Sequence, residues 1–345
     1  MKANPVSLQS IAARRKVIRV SPEELVKFTT LSPGQRLPLI IEPAVRDMSA
    51  TAWLEANREV VDARLHEHGA ILFRGFHLNT PSQFEQFVKA TGGAPMPYTE
   101  RSSPRHEVGQ GIYTSTDYPA SQSIFPHHEH SYRRTFPLRL FFFCETPAQQ
   151  GGETPLVDGR RILARISPAI RQKFEQKAWL YVRNFGDRFG LSWQTAFQTS
   201  DRSEVEGYCT ENKIEFQWQS NGFLRTRQIR PAFARHPRTG ETLWFNHATF
   251  FHVSTLPDEI RQVLLVKFEE QDMPNNAYYG DGSSIEPAVL EELRLAYRQE
   301  QITFPWQQGD VVMVDNMLTA HARRPFSGMR RVLVAMTTPI TREDL

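Results

Sequence analysis

Four consecutive residues, His-His-Glu-His beginning at His127, can each bind a metal ion. In an extended chain alternate side chains share one face, so His127 and Glu129 form one candidate pair. His128 and His130 form the other. One imidazole with one carboxylate needs a second histidine to complete the 2-His-1-carboxylate set, which leaves open positions on Fe(II). We predict that His321, far along the chain, completes a metal site with His127 and Glu129.

The second pair allows a competing arrangement, because two histidines separated by one residue and followed by a nearby carboxylate are typical of cupin metal sites. The chain has Arg133, Arg134 and Thr135 where that carboxylate would stand. The cupin arrangement is therefore disfavoured. We expect His128 and His130 to be hydrogen-bonded side chains rather than metal ligands.

A further set of residues is suited to binding a carboxylate. The pair Gly151-Gly152 predicts a tight turn, after which Thr154 places a hydroxyl at the start of a strand. Arg331 lies on the final predicted strand and can hold a carboxylate through two parallel hydrogen bonds. We predict that Thr154 and Arg331 hold the far carboxylate of 2-oxoglutarate, and that Arg330 points to the opposite face of the strand.

The residues that select the substrate are expected on loops around the metal site, since loops on a rigid scaffold commonly carry specificity. Segment 95–122 is rich in Gly, Pro, Ser and Tyr without clear periodicity, which predicts a long ordered loop. The candidate substrate contacts are Tyr113, Phe245, Asn246, Arg230 and Arg324.

The elements that must position these residues are mainly strands. Apolar runs bounded by turn residues predict strands at 37–41, 70–73, 138–144, 154–157, 179–184, 214–218, 223–227, 243–246, 302–306, 311–314 and 332–336. Helical spacing with end signals predicts helices at 49–68, 81–91, 159–177, 201–212, 257–271 and 287–300. Because the helices are inserted irregularly, a doubly wound parallel sheet is disfavoured. The pattern indicates a mainly β sandwich or jelly roll with helices packed outside.

Composition limits the number of domains and the kinds of partner to be expected. The 345 residues are 40% hydrophobic and 23% charged, which is typical of globular chains. We expect a single domain over 1–345, with 1–36 as an N-terminal leader and the core from about 69 to 340. The net charge of +3 is spread along the chain, so neither nucleic acid nor a membrane is expected as a partner.

Cysteine content and the N-terminal segment indicate the compartment. Cys144 and Cys209 are too few for a disulfide framework, which favours a reducing environment. The N-terminal segment lacks the apolar run of a signal peptide, and no run approaches the roughly 18 apolar residues of a membrane span. We therefore expect a cytoplasmic protein.

Several motifs together resemble those of the taurine dioxygenase (TauD/TfdA-like) family of Fe(II)/2-oxoglutarate-dependent oxygenases, over about 69–336. The resemblance implies a double-stranded β-helix, a jelly roll flanked by α-helices. It implies iron on His127, Glu129 and His321. Thr154 and Arg331 would hold the tail of 2-oxoglutarate, and O₂ would be the second co-substrate. The motifs are His127-x-Glu129, Gly151-Gly152-Glu153-Thr154, segments 236–241 and 244–246, His321, and Arg330-Arg331.

Within this family the carboxylate ligand narrows the substrate class. Taurine-cleaving members usually have aspartate where this chain has Glu129. The glutamate is instead shared with clavaminate synthase-like oxygenases, which act on amino acids. Segments 126–132, 142–148 and 151–155 are similar to the syringomycin-pathway aspartyl hydroxylase (SyrP-like) subgroup, whose members oxidise amino acids, sometimes on a carrier protein. Related halogenases have a small residue in place of Glu129, so the resemblance implies hydroxylation rather than halogenation.

The resemblance therefore implies a dioxygenase of specialised metabolism that hydroxylates an unactivated C–H bond of an amino acid or a derivative, either free or tethered to a carrier protein. Succinate and CO₂ would be the co-products. Desaturation and ring closure by the same chemistry remain alternatives. A zinc hydrolase with the same three ligands is another, although Thr154 and Arg331 would then have no role.

Overall fold

The computed structural model describes residues 24–103, 105–186, 190–220 and 222–345. Residues 1–23 of the predicted leader lie outside this part of the chain. The end of that leader is structured, because Val26–Thr30 forms a strand that pairs with the next one, so the sheet begins well before residue 69. Within the described ranges, no helix is both long and apolar enough to cross a membrane.

Strands outnumber helices among the described residues, as the sequence predicts. The strands are β1 Val26–Thr30, β2 Leu39–Pro43, β3 Ala70–Phe73, β4 Glu107–Gly109, β5 Ile112–Thr114, β6 Ile124–His127, β7 Thr135–Thr146, β8 Gln150–Gly151, β9 Leu156–Asp158, β10 Trp179–Phe185, β11 Glu215–Trp218, β12 Leu224–Arg230, β13 Phe233–Arg235, β14 Thr242–Trp244, β15 Asn275–Tyr279, β16 Gln301–Ile302, β17 Val311–Asp315, β18 Thr319–Arg323, β19 Phe326–Ser327 and β20 Arg331–Thr341. The α-helices are α1 Ala50–Ala56, α2 Arg58–His68, α3 Pro81–Ala90, α4 Gly159–Arg165, α5 Pro168–Lys177, α6 Trp193–Phe197, α7 Arg202–Glu211, α8 Ala248–Phe251, α9 Asp258–Lys267 and α10 Pro287–Gln299.

The main sheet has eight strands in the order β1-β2-β3-β17-β7-β20-β5-β4. Neighbouring strands are antiparallel except β2 and β3, and the long strand β7 lies between β17 and β20. Successive side chains on these strands point to opposite faces and enter two different cores. Phe141 and Phe143 pack in the outer core with residues of α1, α2 and α3, whereas Phe142 and Cys144 lie in the inner core.

A second sheet, of order β16-β9-β18-β6, packs against the inner core. Leu156 of β9 and Ile302 of β16 contact the same cluster as Phe142 and Val334 of the main sheet. Two sheets packed in this way form the jelly roll, with helices outside, so the predicted fold class is confirmed. A third sheet, β11-β12-β10-β15, packs beside it with α5 and α10 around a separate aromatic core.

Local signals set several element ends. The Ser49 side chain caps α1, and Gly69 ends α2 in the left-handed region at φ 80°. The predicted helix 49–68 is interrupted at Asn57, and the predicted strand 302–306 is reduced to Gln301–Ile302. Strands β5, β6 and β18 were not predicted, because they are short and include polar residues that disturb the apolar pattern.

Candidate active site

The three predicted ligands meet on the second sheet. One ligand atom from each of His127, Glu129 and His321 lies within 4.8 Å of the others. His127 ends β6 and pairs directly with His321 in the middle of β18. Their ring centroids are 4.4 Å apart, and Nε2 of His321 lies 3.8 Å from Oε2 of Glu129. Strand pairing thus brings together two histidines that are remote in the sequence.

Glu129 is positioned by a turn, whereas its prediction as a ligand assumed an extended chain. Strand β6 ends at His127, and His130 has a left-handed backbone with φ 57°. His128 turns away from the site, and its Nδ1 lies 2.7 Å from the carbonyl oxygen of Asn316. His130 stacks on a tyrosine ring. Neither histidine belongs to the three-residue cluster.

Asn316 holds this turn from the segment between β17 and β18. Its buried Oδ1 accepts a hydrogen bond from the N–H of Glu129, and its Nδ2 donates to the carbonyl oxygens of Glu129 and Pro137, all at 2.8 Å. Asp315 fixes the same segment by accepting hydrogen bonds from two following N–H groups at 3.0 and 3.1 Å. Asn316 is therefore a positioning residue for Glu129, which no sequence motif indicated.

We expect Asn316→Ala to weaken metal binding by about 10–100-fold, which is typical when a group that orients a ligand is removed. The variant removes the side chain that bonds both the N–H and the C=O of Glu129. A Mn(II) titration followed by electron paramagnetic resonance measures the change. Asn79→Ala, at an exposed asparagine, is the control and should bind like the wild type. Unchanged affinity in a folded Asn316→Ala protein would contradict the positioning role.

Burial and nearby charges set the protonation of the triad. Burial lowers the pKa of His127 and holds that of His321 well below its usual range. Burial alone would raise the pKa of Glu129, but the charge of Arg105 outweighs it and holds that pKa well below its ordinary value. The groups are thus neutral imidazoles and an ionised carboxylate, the forms that bind metal ions.

The donor set fits Fe(II). Two imidazoles and one carboxylate, with no thiolate, are the ligands of the non-haem iron facial triad. Nδ1 of His127 lies 3.0 Å from the carbonyl oxygen of Phe125, which can only accept, so the N–H is on Nδ1. Nε2 of His127 is therefore unprotonated and free to bind a metal ion.

The cavity lined by His127 and His321 is also lined by Thr154 and Arg330. Nη2 of Arg330 lies 3.4 Å from Oγ1 of Thr154, and that hydroxyl accepts a second hydrogen bond from Nε1 of Trp306 at 3.2 Å. Burial lowers the pKa of Arg330 to about 10, so the side chain stays charged at neutral pH. A guanidinium next to a hydroxyl can hold a carboxylate.

The structure corrects the predicted arginine. Arg331 points away from the cavity, is half-exposed, and places Nε 2.8 Å from Oε2 of Glu145. Arg330, Val332 and Val334 line the cavity instead. Because β20 is buried on both faces, its apolar pattern does not reveal which face is inward, and the strand register shifts between Arg331 and Val332.

The aromatic side chains predicted as substrate contacts belong to the core. Tyr113 is buried, and its hydroxyl accepts a hydrogen bond from the N–H of Tyr98 at 3.2 Å. Phe245 is buried against Phe136 and His128, with ring centroids 4.7 and 5.2 Å away. Neither residue lines the metal cavity, and both side chains pack in the core.

The polar candidates for substrate binding have structural roles or lie at the surface. Asn246 donates to the carbonyl oxygen of Ala232 and accepts from the N–H of Ala248, both at 2.9 Å. Arg230 is buried and donates to four backbone carbonyl oxygens. Arg324 is exposed beyond the end of β18. None of these three side chains lines the metal cavity.

Two cavity arginines were not selected from the sequence. Arg323 lies two residues beyond His321 on β18, and it donates to three carbonyl oxygens of segment 118–122 at 2.6–2.9 Å. Strand alternation from His321 is the signal that identifies it. Arg105 donates through Nη2 to Oε2 of Glu129 at 2.8 Å, and no motif marks it.

A jelly roll that brings two imidazoles and a carboxylate together beside a cavity lined by a partly buried arginine and a threonine defines a class of enzyme, the non-haem iron oxygenases that use 2-oxoglutarate. The model of the family "Taurine catabolism dioxygenase TauD, TfdA family" matches residues 31–337. The chain belongs to this family and is a 2-oxoglutarate-dependent non-haem iron dioxygenase, which confirms the class implied by the sequence resemblance.

Two relatives match most of the chain. The dapdiamide synthesis protein DdaC of Enterobacter agglomerans is 42% identical over 280 residues, 81% of this chain and 85% of that protein. A clavaminate synthase-like protein of Arabidopsis thaliana is 29% identical over 314 residues, 88% of this chain and 91% of that protein.

Solved structures share the fold at low sequence identity. PvcB of Pseudomonas aeruginosa, an Fe, alpha-ketoglutarate dependent oxygenase from an isonitrile synthetic pathway, has a TM-score of 0.54 and 17% identity, covering 91% of this chain and 92% of PvcB. AAD-2, solved with Mn(II) and N-oxalylglycine, has a TM-score of 0.53 and 12% identity, covering 92% and 98%. These similarities support the jelly-roll fold.

Proposed function

We propose that this enzyme hydroxylates an unactivated C–H bond of an amino acid or an amino-acid derivative, with Fe(II) held by His127, Glu129 and His321. The observation that carries the proposal is the meeting of these ligand atoms within 4.8 Å, at a cavity also lined by Thr154 and Arg330. When bound, Fe(II) and 2-oxoglutarate supply the O₂-dependent oxidation of the C–H bond and release succinate and CO₂.

In this proposal the side chains around the cavity bind and orient 2-oxoglutarate, and they exclude water. Arg330 and Thr154 hold the far carboxylate of 2-oxoglutarate, and Trp306 orients the Thr154 hydroxyl through its indole N–H. Phe142 and Val334 provide apolar walls, which keep water from the reacting atoms. The protein thus supplies geometry and a dry surrounding for chemistry that belongs to the metal and its co-substrate.

The substrate class is supported by Glu129 and by the relatives. A glutamate ligand accords with the amino-acid-oxidising oxygenases that the sequence resembles. The two relatives are named for dapdiamide synthesis and for likeness to clavaminate synthase. We accordingly propose a cytoplasmic enzyme of specialised metabolism, acting as one domain over 1–345 on a free or carrier-bound substrate. Desaturation or ring closure would be a different outcome of the same oxidation.

Succinate release under O₂ tests this proposal. The Fe(II)-loaded protein is supplied with 2-oxoglutarate, ascorbate and a panel of free amino acids and carrier-bound aminoacyl groups. We expect one panel member to stimulate succinate release well above the uncoupled rate, with a hydroxylated product of matching amount. Succinate release that no panel member stimulates would contradict the substrate class. Bound zinc, with no succinate even after iron is added, would favour a hydrolase and contradict the whole proposal.

A further inference from the structure

Arg105 lies buried next to the metal site, with 6% of its surface exposed. Its Nη2 donates to Oε2 of Glu129 at 2.8 Å and lies 3.4 Å from Oγ1 of Thr116. The guanidinium also lies over the ring of Tyr98, with Cζ 4.6 Å from the ring centroid. These contacts fix the orientation of the guanidinium in the wall of the cavity that His127 also lines.

Two donor nitrogens of Arg105 are unused. Nε and Nη1 are buried and have no hydrogen-bond partner in the part of the chain that the structure describes. A buried N–H group without an acceptor is unfavourable, and more so on a charged side chain. Arg323 differs in its terminal nitrogens, both of which donate to backbone carbonyl oxygens, so that only its Nε has no partner among the described residues. Arg105 is thus oriented and still able to bind a further acceptor.

The charges around the cavity favour an anionic acceptor. Among the residues that the structure describes, those lining the cavity include Arg105, Arg323 and Arg330 but no aspartate or glutamate. The guanidinium of Arg105 is always charged at ordinary pH, so it adds a fixed positive charge to this wall. If Fe(II) and dianionic 2-oxoglutarate bind as proposed, they and Glu129 still leave a net positive charge. A further anion would reduce it.

A larger cavity of about 290 Å³ lies next to this wall. It is lined by Ser103 and Asp117, and Oγ of Ser103 lies 3.3 Å from Oγ1 of Thr116, which lines the metal cavity. Arg183 also lines the larger cavity and is buried, and its Nη1 has no partner among the described residues. The larger cavity therefore offers space and polar groups beside the metal site.

We propose that Arg105 binds a carboxylate of the primary substrate through Nη1, one of its two unused donors, and that the rest of the substrate extends past Thr116 towards the larger cavity. The inference rests on the proposed function and deepens it, because it gives the substrate a free carboxylate close to the metal. An amino acid tethered to a carrier through its only carboxyl group has no such carboxylate. The substrate is therefore a free acid or carries a second carboxylate.

Acetate is the probe for the anion site, since it presents a carboxylate and no other polar group. The metal-free full-length Arg330→Gln variant removes the competing carboxylate site, and saturation-transfer NMR should detect saturable acetate binding to it. Adding Arg105→Gln should weaken this binding about tenfold. Adding Arg324→Gln, which removes an exposed arginine, should leave it unchanged. Equal acetate affinity with and without Arg105 would overturn the proposal.

Mn(II) with N-oxalylglycine then tests whether the anion lies near the metal. In the wild type, Mn(II) should enhance the relaxation of the acetate methyl protons in a saturable way. Arg105→Lys keeps a positive charge near Glu129 but has a single nitrogen, which cannot occupy the positions of Nη2 and Nη1 together, so it should retain Mn(II) and bind acetate several-fold more weakly. The comparison of Mn(II) binding with acetate binding in this variant separates the binding of the anion from the hydrogen bond to Glu129.

The remaining outcomes are distinguishable. Relaxation that persists in Arg105→Gln would report acetate bound to Mn(II) itself and would overturn the proposal. Failure of the wild type to bind Mn(II) would contradict the proposed function, and it would also contradict the substrate role of Arg105. The acetate titration of the metal-free protein would still show whether the anion site exists.

Discussion

The His321→Ala variant should lose metal binding and, with it, 2-oxoglutarate-dependent succinate release. His321 provides one of three ligand atoms, and His127 with Glu129 would leave a two-ligand site. Loss of a group that only orients a ligand costs about 10–100-fold in metal affinity, so loss of the ligand itself should cost at least about 100-fold. A Mn(II) titration followed by electron paramagnetic resonance measures this affinity, and succinate release measures the activity.

His106→Ala is the matched control, because it removes an imidazole that is exposed and lies outside the cluster. It should bind Mn(II) and release succinate like the wild type. Since His321 lies in the core against Phe142, with ring centroids 4.8 Å apart, circular dichroism must show that the variant is folded. A folded His321→Ala protein with wild-type Mn(II) affinity would exclude His321 as a ligand.

The Arg330→Gln variant should raise the KM for 2-oxoglutarate by about 30-fold, while Fe(II) binding is retained. Its guanidinium lines the metal cavity next to Thr154. Because the cavity is shielded from water, the carboxylate of 2-oxoglutarate should bind much more weakly without this charged partner. A charge-assisted hydrogen bond contributes about 1.5–3 kcal/mol, and about 2 kcal/mol corresponds to 30-fold. Succinate release at varied 2-oxoglutarate concentrations gives the KM.

Arg331→Gln is the matched control, because it removes the same charge at the adjacent residue. Arg331 is half-exposed on the other face of β20 and contacts Glu145, so its replacement should change the KM by less than about twofold. The opposite result, a large effect at Arg331 and none at Arg330, would show that β20 is inverted relative to the structure. It would also restore the arginine predicted from the sequence.

Several elements were predictable because their signals are local. The side-chain cap at Ser49 and the left-handed Gly69 define the ends of the segment containing α1 and α2. The apolar run 138–144 identifies β7, the long strand in the main sheet. Strand β18 is different, since Thr319–Arg323 has two polar, ionisable side chains and no apolar pattern of its own. It becomes a strand through pairing with β6 and β9, which are remote in sequence.

The sequence by itself determined the chemistry available to this protein. The residue types around His127, the remote His321 and the turn before Thr154 sufficed to predict a facial triad and a carboxylate site, because ligand chemistry depends on residue type and short spacing. The metal cluster in the structure consists of the same three residues. Fold class and family likewise followed from motifs that are local in the chain.

Only the tertiary structure decided which neighbouring side chains face the reacting centre. Arg330 rather than Arg331 lines the cavity, since a strand buried on both faces gives no apolar pattern that sets its register. Asn316 and Arg105 reach Glu129 from distant segments, and nothing in their local sequence distinguishes them from other polar residues. Orientation depends on contacts between remote parts of the chain, so it is determined only when the sheets have packed.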